Sequence, residues 1–107
     1  MIGPKAGVKY TGKYGYPALS NKSIDDVKAS DLDALVIPGG WAPDYWRRDA
    51  RFCTLTADMV NANKPVASIC HGPWLLISAK VLTNRRATCF YSIKDDVRYV
   101  YMCIIHV

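Results

Sequence analysis

Hydrophobic and polar positions are irregular at the start of the chain and become regular from position 34 onward. Residues 1–30 are rich in Gly, Lys, Tyr and Ser and show no sustained period, so they predict at most one short strand, around Tyr16 to Ser20. The segment from Ser23 to Asp33 mixes Asp and Lys with isolated apolar residues. That mixture indicates a loop with about one helical turn.

A first strand and helix are predicted between positions 34 and 63. Ala34 to Ile37 is a continuous apolar run ended by Pro38-Gly39-Gly40, which is typical of a strand buried on both faces of a parallel sheet. After a loop from Trp41 to Trp46, Asp49 is a favourable N-cap for a helix that reaches about Asn63. Four apolar residues fall on one face of this helix: Phe52, Leu55, Met59 and Val60.

A second strand and helix follow directly. Val66 to Cys70 is a short apolar strand, His71-Gly72-Pro73 is a turn, and Trp74 to Ala79 has the apolar density of a helix. Asn84 to Arg86 predicts another turn and Ala87 to Tyr91 a third strand. Alternating strands and helices with short links predict an α/β fold of three αβα layers, doubly wound around a mostly parallel sheet.

Composition and charge narrow the class of protein. The 107 residues suffice for one domain, and half of them are hydrophobic. The formal charge of +5 comes from basic residues that stand singly or in pairs such as Arg47-Arg48, so a solvated surface is favoured over a nucleic-acid partner. The chain shows neither an apolar run that could cross a membrane nor a signal-peptide pattern at Met1 to Tyr10, and a cytoplasmic location is expected.

The four cysteines lack the paired spacing of a structural zinc site and do not suggest a disulfide framework. We therefore expect neither a metal nor an organic cofactor. Cys53 and Cys89 are expected to be packed thiols, and the tail residues Cys103 and His106 have no matching metal ligands.

Cys70 is the candidate nucleophile because it stands where a predicted strand turns into a predicted helix. At such a strand end, the helix dipole and backbone N–H groups favour a thiolate and can stabilise an oxyanion. His71 supplies an adjacent base, and Gly72 leaves room for a tight turn. An arbitrary Cys-His pair is more often a buried thiol beside a structural histidine. Here the apolar strand before it and the second glycine turn at Gly39-Gly40 favour the nucleophile.

Two segments, ALVIPGGWAPDYWRRDARF (34–52) and NKPVASICHGPWLLISAKVL (63–82), resemble the DJ-1/PfpI superfamily, specifically its PfpI-like intracellular peptidase and deglycase branch. A weaker similarity extends from about Gly12 to Val97. The resemblance implies a flavodoxin-like, class I glutamine amidotransferase-like fold that is incomplete here. It predicts a single partial domain over 1–107, with a motif-bearing core at 32–97 and an atypical tail at 98–107.

The resemblance also implies roles for individual residues. Cys70 matches the family nucleophile and His71 the histidine that follows it. The backbone N–H groups of Gly40 and His71 would form the oxyanion hole. Asp44 matches the acidic residue that orients the histidine of a neighbouring subunit, which implies a homo-oligomer.

The chain departs from the family pattern at both ends. Relatives begin with a strand and helix that supply a glutamate hydrogen-bonded to the nucleophile, and this chain is expected to lack that region. The tail from Arg98 to Val107 is apolar and unlike the family. The sequence allows two alternatives for this tail, which are an edge strand over Val100 to Ile105 and a disordered segment.

The resemblance implies a cysteine-dependent hydrolase or deglycase that acts on reactive aldehydes such as methylglyoxal, on glycated adducts or on peptides. The alternative is a truncated homologue that serves as a thiol sensor or binding module, or an inactive gene-model fragment. Trp41, Tyr45 and Trp46 either line a pocket over the thiol or pack on a partner subunit, and Trp74 is expected to pack within its helix.

Overall fold

Short strands and helices alternate along residues 1–100, the part of the chain that the computed structural model describes. The strands are β1 (Ile2–Gly3), β2 (Lys9–Thr11), β3 (Pro17–Leu19), β4 (Lys22–Ser23), β5 (Leu35–Ile37) and β6 (Val66–Ser68). The α-helices are α1 (Ala42–Trp46), α2 (Ala50–Asn61), α3 (Pro73–Ser78) and α4 (Lys94–Val100). Single 3-10 turns occupy Ile24–Asp26, Ala29–Asp31 and Tyr91–Ile93.

β5 and β6 form the parallel pair that the sequence predicts, with Leu35 opposite Val66 and Ile37 opposite Ser68. Side chains alternate across a strand, so Ile37 points into the core and is 2% exposed, whereas Val36 is 71% exposed. The prediction that this strand is buried on both faces is therefore wrong for the described residues. Within residues 1–100, helices cover one face of the pair and nothing covers the side of Val36.

α2 agrees closely with its prediction. Asp49 caps its N-terminus by accepting a hydrogen bond from the backbone N–H of Arg51, 3.0 Å away. The helix ends in a Schellman motif, in which Asn63 has a φ of 54° and Lys64 N–H donates to the carbonyl of Met59. Its apolar face joins α3 and α4 in one core, whose buried members are Ile24, Ile37, Phe52, Leu55, Met59, Leu75, Leu76, Leu82, Ile93 and Val97.

Two predictions about local structure are corrected. The segment Trp41 to Trp46, predicted as a loop, contains α1, because Pro43 suits the first turn of a helix and is buried there. Ala87 to Tyr91, predicted as a third strand, forms none. Ile93 and Val97 are buried in the core, so the chain turns into a 3-10 turn and α4 instead of continuing along β6.

Segment 87–90 meets the turn after β6, where Phe90 N–H donates to the carbonyl of Cys70 at 2.9 Å. Farther along, a groove of about 930 Å³ separates β6 from residues 81–88. Neither Cys70 nor His71 lines this groove. It is therefore distinct from the candidate site.

The N-terminal residues form two small sheets. β2 and β3 make an antiparallel hairpin, and β3 confirms the short strand expected at Tyr16 to Ser20. β1 pairs in parallel with β4. β1, β2 and β4 were not predicted, because strands of two or three residues are too short to carry a hydrophobic period.

The fold class is the incomplete α/β arrangement that the sequence predicts. Over residues 1–100, no helix has the length and apolar character needed to cross a membrane. The edge strand predicted over Val100 to Ile105 lies outside the described residues, except for Val100, which ends α4. Cys103 and His106 also lie outside them.

Candidate active site

Cys70 occupies the turn between β6 and α3, as the sequence predicts for a nucleophile elbow. Its φ is +59°, in the left-handed region that non-glycine residues rarely adopt. Such a backbone conformation costs about 1–3 kcal/mol and is found preferentially at functional sites. The side chain is half-buried, so the thiol is neither sealed in the core nor fully in water.

The turn is tight because two glycines let other backbone segments approach it. A β-carbon on Gly72 would lie 2.8 Å from the carbonyl oxygen of Ile37 and 3.0 Å from that of Ile69. Gly39, at the end of β5, similarly faces the thiol, and its β-carbon would lie 3.3 Å from Cys70 Sγ. The glycine turns after β5 and β6 therefore meet at one edge of the sheet, as the sequence predicts.

Cys70 and His71 are in direct contact, with Sγ 3.1 Å from Nδ1 of the imidazole. This separation is a hydrogen-bond distance for a thiol and a ring nitrogen. In the tautomer whose Nδ1 carries the lone pair, the imidazole can take the thiol proton. The pair can then generate a thiolate beside an imidazolium.

The imidazole of His71 is surrounded by aromatic rings. Trp74 makes a T-shaped contact at 4.7 Å between ring centroids, Phe90 lies at 5.3 Å and Trp41 at 5.9 Å. Trp74 was expected to pack within its helix. It also forms one wall of the site, and its indole Nε1–H donates to Asp96 at 2.9 Å.

The other loop aromatics separate into two environments. Trp46 stacks on Phe52 at 5.8 Å and packs against the hydrophobic core. Tyr45 is exposed, and the guanidinium of Arg48 lies 5.2 Å from the centre of its ring. Of these three residues, which were expected either to line a pocket over the thiol or to pack on a partner subunit, Trp41 is the one that contacts His71.

Backbone N–H groups are available around the elbow. Gly40 has a φ of +71°, and among residues 1–100 its N–H and that of His71 donate to no protein acceptor. Both belong to turns that converge on Cys70. Unengaged donors at such a position can bind an oxyanion.

Asp44 lies on α1 and forms an ion pair with Arg48, one turn farther along the same helix. Within the described residues, no hydrogen bond joins its carboxylate to His71. Within one chain, Cys70 contacts His71 and lies against Gly39, the neighbour of Gly40, whereas Asp44 has another partner.

Ser92 is a site residue that sequence reasoning missed. Its Oγ lies 3.3 Å from Nε2 of His71, on the opposite side of the ring from Cys70. Ser92 follows His71 by 21 residues and comes directly after Ala87 to Tyr91, the segment that the sequence predicts as a third strand. Nothing in the local pattern indicates that it returns to the histidine.

The remaining described cysteines have different surroundings. Burial raises the pKa of the Cys53 thiol, whose Sγ lies 3.5 Å from the carbonyl oxygen of Arg47. Burial also raises the pKa of the Cys89 thiol. Residues 1–100 contain no group of three or more His, Cys, Asp or Glu side chains that could hold a metal ion.

Comparisons with known proteins agree with this geometry. The model of the DJ-1/PfpI family matches residues 1–104. Protein/nucleic acid deglycase 2 of Escherichia coli is 49% identical over 98 residues, which are 91% of this chain and 57% of that protein. General stress protein 18 of Bacillus subtilis is 47% identical with the same coverage of both chains. Deglycase PfpI of Pyrococcus furiosus is 44% identical over 81% of this chain and 52% of its own length.

Solved structures show the same fold. A two-domain protein from Anabaena variabilis with DJ-1/ThiJ/PfpI-like and ferritin-like domains superposes with a TM-score of 0.89 and 35% identity, over 94% of this chain and 29% of that one. A ThiJ/PfpI domain protein from Brachyspira murdochii gives 0.85 and 25% identity, over 99% and 61%. The chain spans about half the length of the curated relatives it matches.

Proposed function

The chain belongs to the DJ-1/PfpI family, and from this premise we propose that it is a cysteine-nucleophile hydrolase of the deglycase type. The observation that carries the proposal is the strained turn at Cys70, whose Sγ lies 3.1 Å from Nδ1 of His71. A structural cysteine needs neither a left-handed backbone nor a basic partner.

The first step is addition of the Cys70 thiol to an aldehyde carbon. The sulfur–carbon bond forms as the carbonyl π bond opens onto oxygen, and Nδ1 of His71 takes the thiol proton. Return of that proton to the oxyanion gives a neutral hemithioacetal, so no oxidant or reductant is consumed.

With a 2-oxoaldehyde, the hemithioacetal can isomerise to a thioester of a 2-hydroxy acid. The carbon that bears the sulfur loses its C–H proton to His71, and the neighbouring carbonyl carbon and its oxygen become the CH–OH group by taking up that proton and the hydroxyl proton of the hemithioacetal. Water then cleaves the thioester, which releases the acid and restores the thiol. His71 can deprotonate that water and protonate the departing sulfur. The net reaction adds one water to the aldehyde.

The oxyanion of the adduct would be held by the backbone N–H groups of Gly40 and His71. Support comes from their lack of protein acceptors within residues 1–100 and from the positive φ of Gly40 in the adjoining turn. Fixed backbone donors stabilise developing negative charge without reorganising during the reaction.

The substrates proposed are reactive aldehydes such as methylglyoxal and their early protein adducts. The names of the relatives support this class, because two of those compared are deglycases. Peptides are a second class, since a 44% identical relative from Bacillus subtilis is named a putative cysteine protease. The aldehyde is favoured because the hemithioacetal needs only the thiol, the imidazole and the two N–H groups.

Asp44 is proposed to orient His71 of a neighbouring subunit in a homo-oligomer. Its position on α1, directly after the Gly39-Gly40 turn, supports the assignment. In the single chain its carboxylate binds Arg48, so subunit contact would exchange one cationic partner for an imidazole.

The decisive experiment follows methylglyoxal consumption by the purified chain and by Cys70→Ser. We expect the variant to lose the activity, whereas Cys89→Ser, a substitution at another half-buried thiol, keeps most of it. Equal rates for the wild type and Cys70→Ser contradict the enzymatic proposal. A chain that consumes no methylglyoxal but is alkylated rapidly at Cys70 fits the alternative of a thiol sensor.

A further inference from the structure

His71 has a partner for each ring nitrogen within one chain. Nδ1 lies 3.1 Å from Sγ of Cys70, and Nε2 lies 3.3 Å from Oγ of Ser92. A neutral imidazole carries its proton on one nitrogen, and the hydrogen bond at the other nitrogen decides which one. Ser92 can therefore influence which tautomer His71 adopts beside the Cys70 thiol.

The position of Ser92 is fixed from both sides. On its C-terminal side, Ile93 is 2% exposed and belongs to the hydrophobic core. On its N-terminal side, Phe90 N–H donates to the carbonyl of Cys70 at 2.9 Å, and Ile93 N–H closes a turn onto the carbonyl of Phe90 at 3.1 Å. The hydroxyl is thus carried by a turn that is attached to the elbow itself.

The orientation of the imidazole is restricted as well. Trp74, Phe90 and Trp41 surround it at centroid distances of 4.7, 5.3 and 5.9 Å. Aromatic walls limit rotation of the ring but supply no acceptor in its plane. The tautomer is then selected by the polar groups at the edge of the ring, which are the Cys70 thiol and the Ser92 hydroxyl.

Charged side chains near this cluster are engaged elsewhere. The guanidinium of Arg47 lies 5.6 Å from the centre of the Trp74 ring, and Asp96 accepts the indole N–H of Trp74. Asp44 pairs with Arg48. Within residues 1–100, the side-chain group at hydrogen-bond distance from Nε2 of His71 is the hydroxyl of Ser92.

We propose that Ser92 is a positioning residue, which accepts a hydrogen bond from Nε2–H of His71 and so leaves the Nδ1 lone pair free for the Cys70 proton. When Nδ1 takes that proton, the ring becomes an imidazolium and the bond from Nε2–H to Ser92 becomes charge-assisted and stronger. The hydroxyl therefore favours formation of the thiolate. This contact lies inside one chain. In an oligomer, the carboxylate of Asp44 from a neighbour would share the same Nε2–H with Ser92.

This inference rests on the proposed function insofar as Cys70 and His71 are the reactive pair. Its test nevertheless does not require turnover. The state of His71 is read from the ¹⁵N chemical shifts of its ring nitrogens, and the thiolate of Cys70 from its rate of alkylation by iodoacetamide.

We expect the ¹⁵N shifts of the wild-type chain to show the Nε2–H tautomer in excess. Ser92→Ala should reduce that excess and slow alkylation of Cys70 at neutral pH by about fivefold, the factor that corresponds to one ordinary hydrogen bond. Ser92→Thr keeps the hydroxyl and should restore both readouts toward the wild type. Ser92 is exposed, so thermal unfolding should change little in either variant.

Three results overturn the proposal: an excess of Nδ1–H in the wild type, unchanged shifts and alkylation in Ser92→Ala, or equal losses in the Ala and Thr variants. The first of these needs no variant and decides the matter even if Ser92→Ala does not fold. Failure of the proposed function has a different signature, because methylglyoxal consumption would then be absent while both readouts at His71 and Cys70 still respond to Ser92.

Discussion

Gly39 lies against Cys70 so closely that a β-carbon built on it would stand 2.6 Å from Cβ of the cysteine. Real β-carbons do not approach each other to this distance, and both atoms are attached directly to the backbone. The glycine turn after β5 therefore determines whether the cysteine after β6 can keep its position.

Gly39→Ala should displace the elbow and abolish most of the reactivity of Cys70. We expect at least a tenfold slower alkylation and a loss of stability of about 1–3 kcal/mol, as for other overpacked sites. Gly12→Ala, in the remote β2–β3 hairpin, is the control and should leave alkylation unchanged. Mass spectrometry of the iodoacetamide-treated variants measures alkylation, and urea unfolding measures stability. A Gly39→Ala variant with wild-type alkylation contradicts the close packing.

The three described thiols should separate by reactivity. Cys70 is half-buried beside a base, whereas burial raises the pKa of Cys53 and Cys89 and keeps them protonated at neutral pH. Brief iodoacetamide treatment at pH 7 should therefore label Cys70 first, and labelling of the other two should increase as the pH is raised above 9. Peptide mapping by mass spectrometry makes the comparison, and preferential labelling of Cys53 or Cys89 at pH 7 would contradict it.

The strand and helix pattern of the central region could be predicted because burial imposes it. β5, β6, α2 and α3 carry apolar residues at the spacing their structures require, and Asp49 marks the start of α2. α1 and α4 have five and seven residues. Charged residues and a proline interrupt their apolar positions, in contrast to α3, which has six residues and a dense apolar sequence, so α1 and α4 resemble loops.

At the site, contacts between sequence neighbours could be predicted, and contacts between residues far apart in sequence could not. Cys70 and His71 are neighbours in sequence, so a turn between a strand and a helix suffices to bring their side chains together. Ser92 and Trp41 reach the same imidazole from 21 and 30 residues away. Their positions depend on how the core packs, because the burial of Ile93 brings Ser92 to the ring.

Asp49, which caps the N-terminus of α2, makes the stability of the protein depend on pH in the acid range. A hydrogen bond from Arg51 holds the pKa of its carboxyl below the ordinary value, so its charged form contributes stability above the unfolded pKa and loses that contribution as the pH falls through the folded one. Asp49→Ala should cost about 1 kcal/mol at pH 7 by removing the cap.

Asp49→Asn is the matched control, because asparagine caps as well as aspartate but cannot pair with Arg51. At pH 7 we expect it to lose about 0.5 kcal/mol or less, since the pair is exposed. The difference from the wild type should shrink as the pH falls below 4. Urea unfolding at pH 7 and pH 3 measures it, and a gap that widens in acid would exclude the ion pair as its cause.

Asp44→Asn tests whether a neighbouring subunit completes the site. If the carboxylate orients His71 of a partner, the variant should slow methylglyoxal consumption by tenfold or more in an oligomeric sample. Arg48→Gln, which removes the partner of Asp44 within the chain, should not slow it. Light scattering gives the oligomeric state of each variant. A monomeric wild type with full activity would rule out a role for Asp44 across subunits.

Lys80 holds the C-terminus of α3 in a conformation that suits glycine better. Its φ is 58°, its N–H donates to Ile77 at 3.0 Å and Val81 N–H donates to Leu76 at 3.2 Å, which is the Schellman pattern. Lys80→Gly removes the β-carbon that makes this conformation unfavourable and should raise the free energy of unfolding by about 1 kcal/mol. Lys80→Ala keeps the β-carbon and should not, so a difference between the two variants in urea unfolding isolates the backbone effect. Asn63 occupies the same position after α2 with a φ of 54°, and because asparagine tolerates this region, Asn63→Gly should gain less than Lys80→Gly.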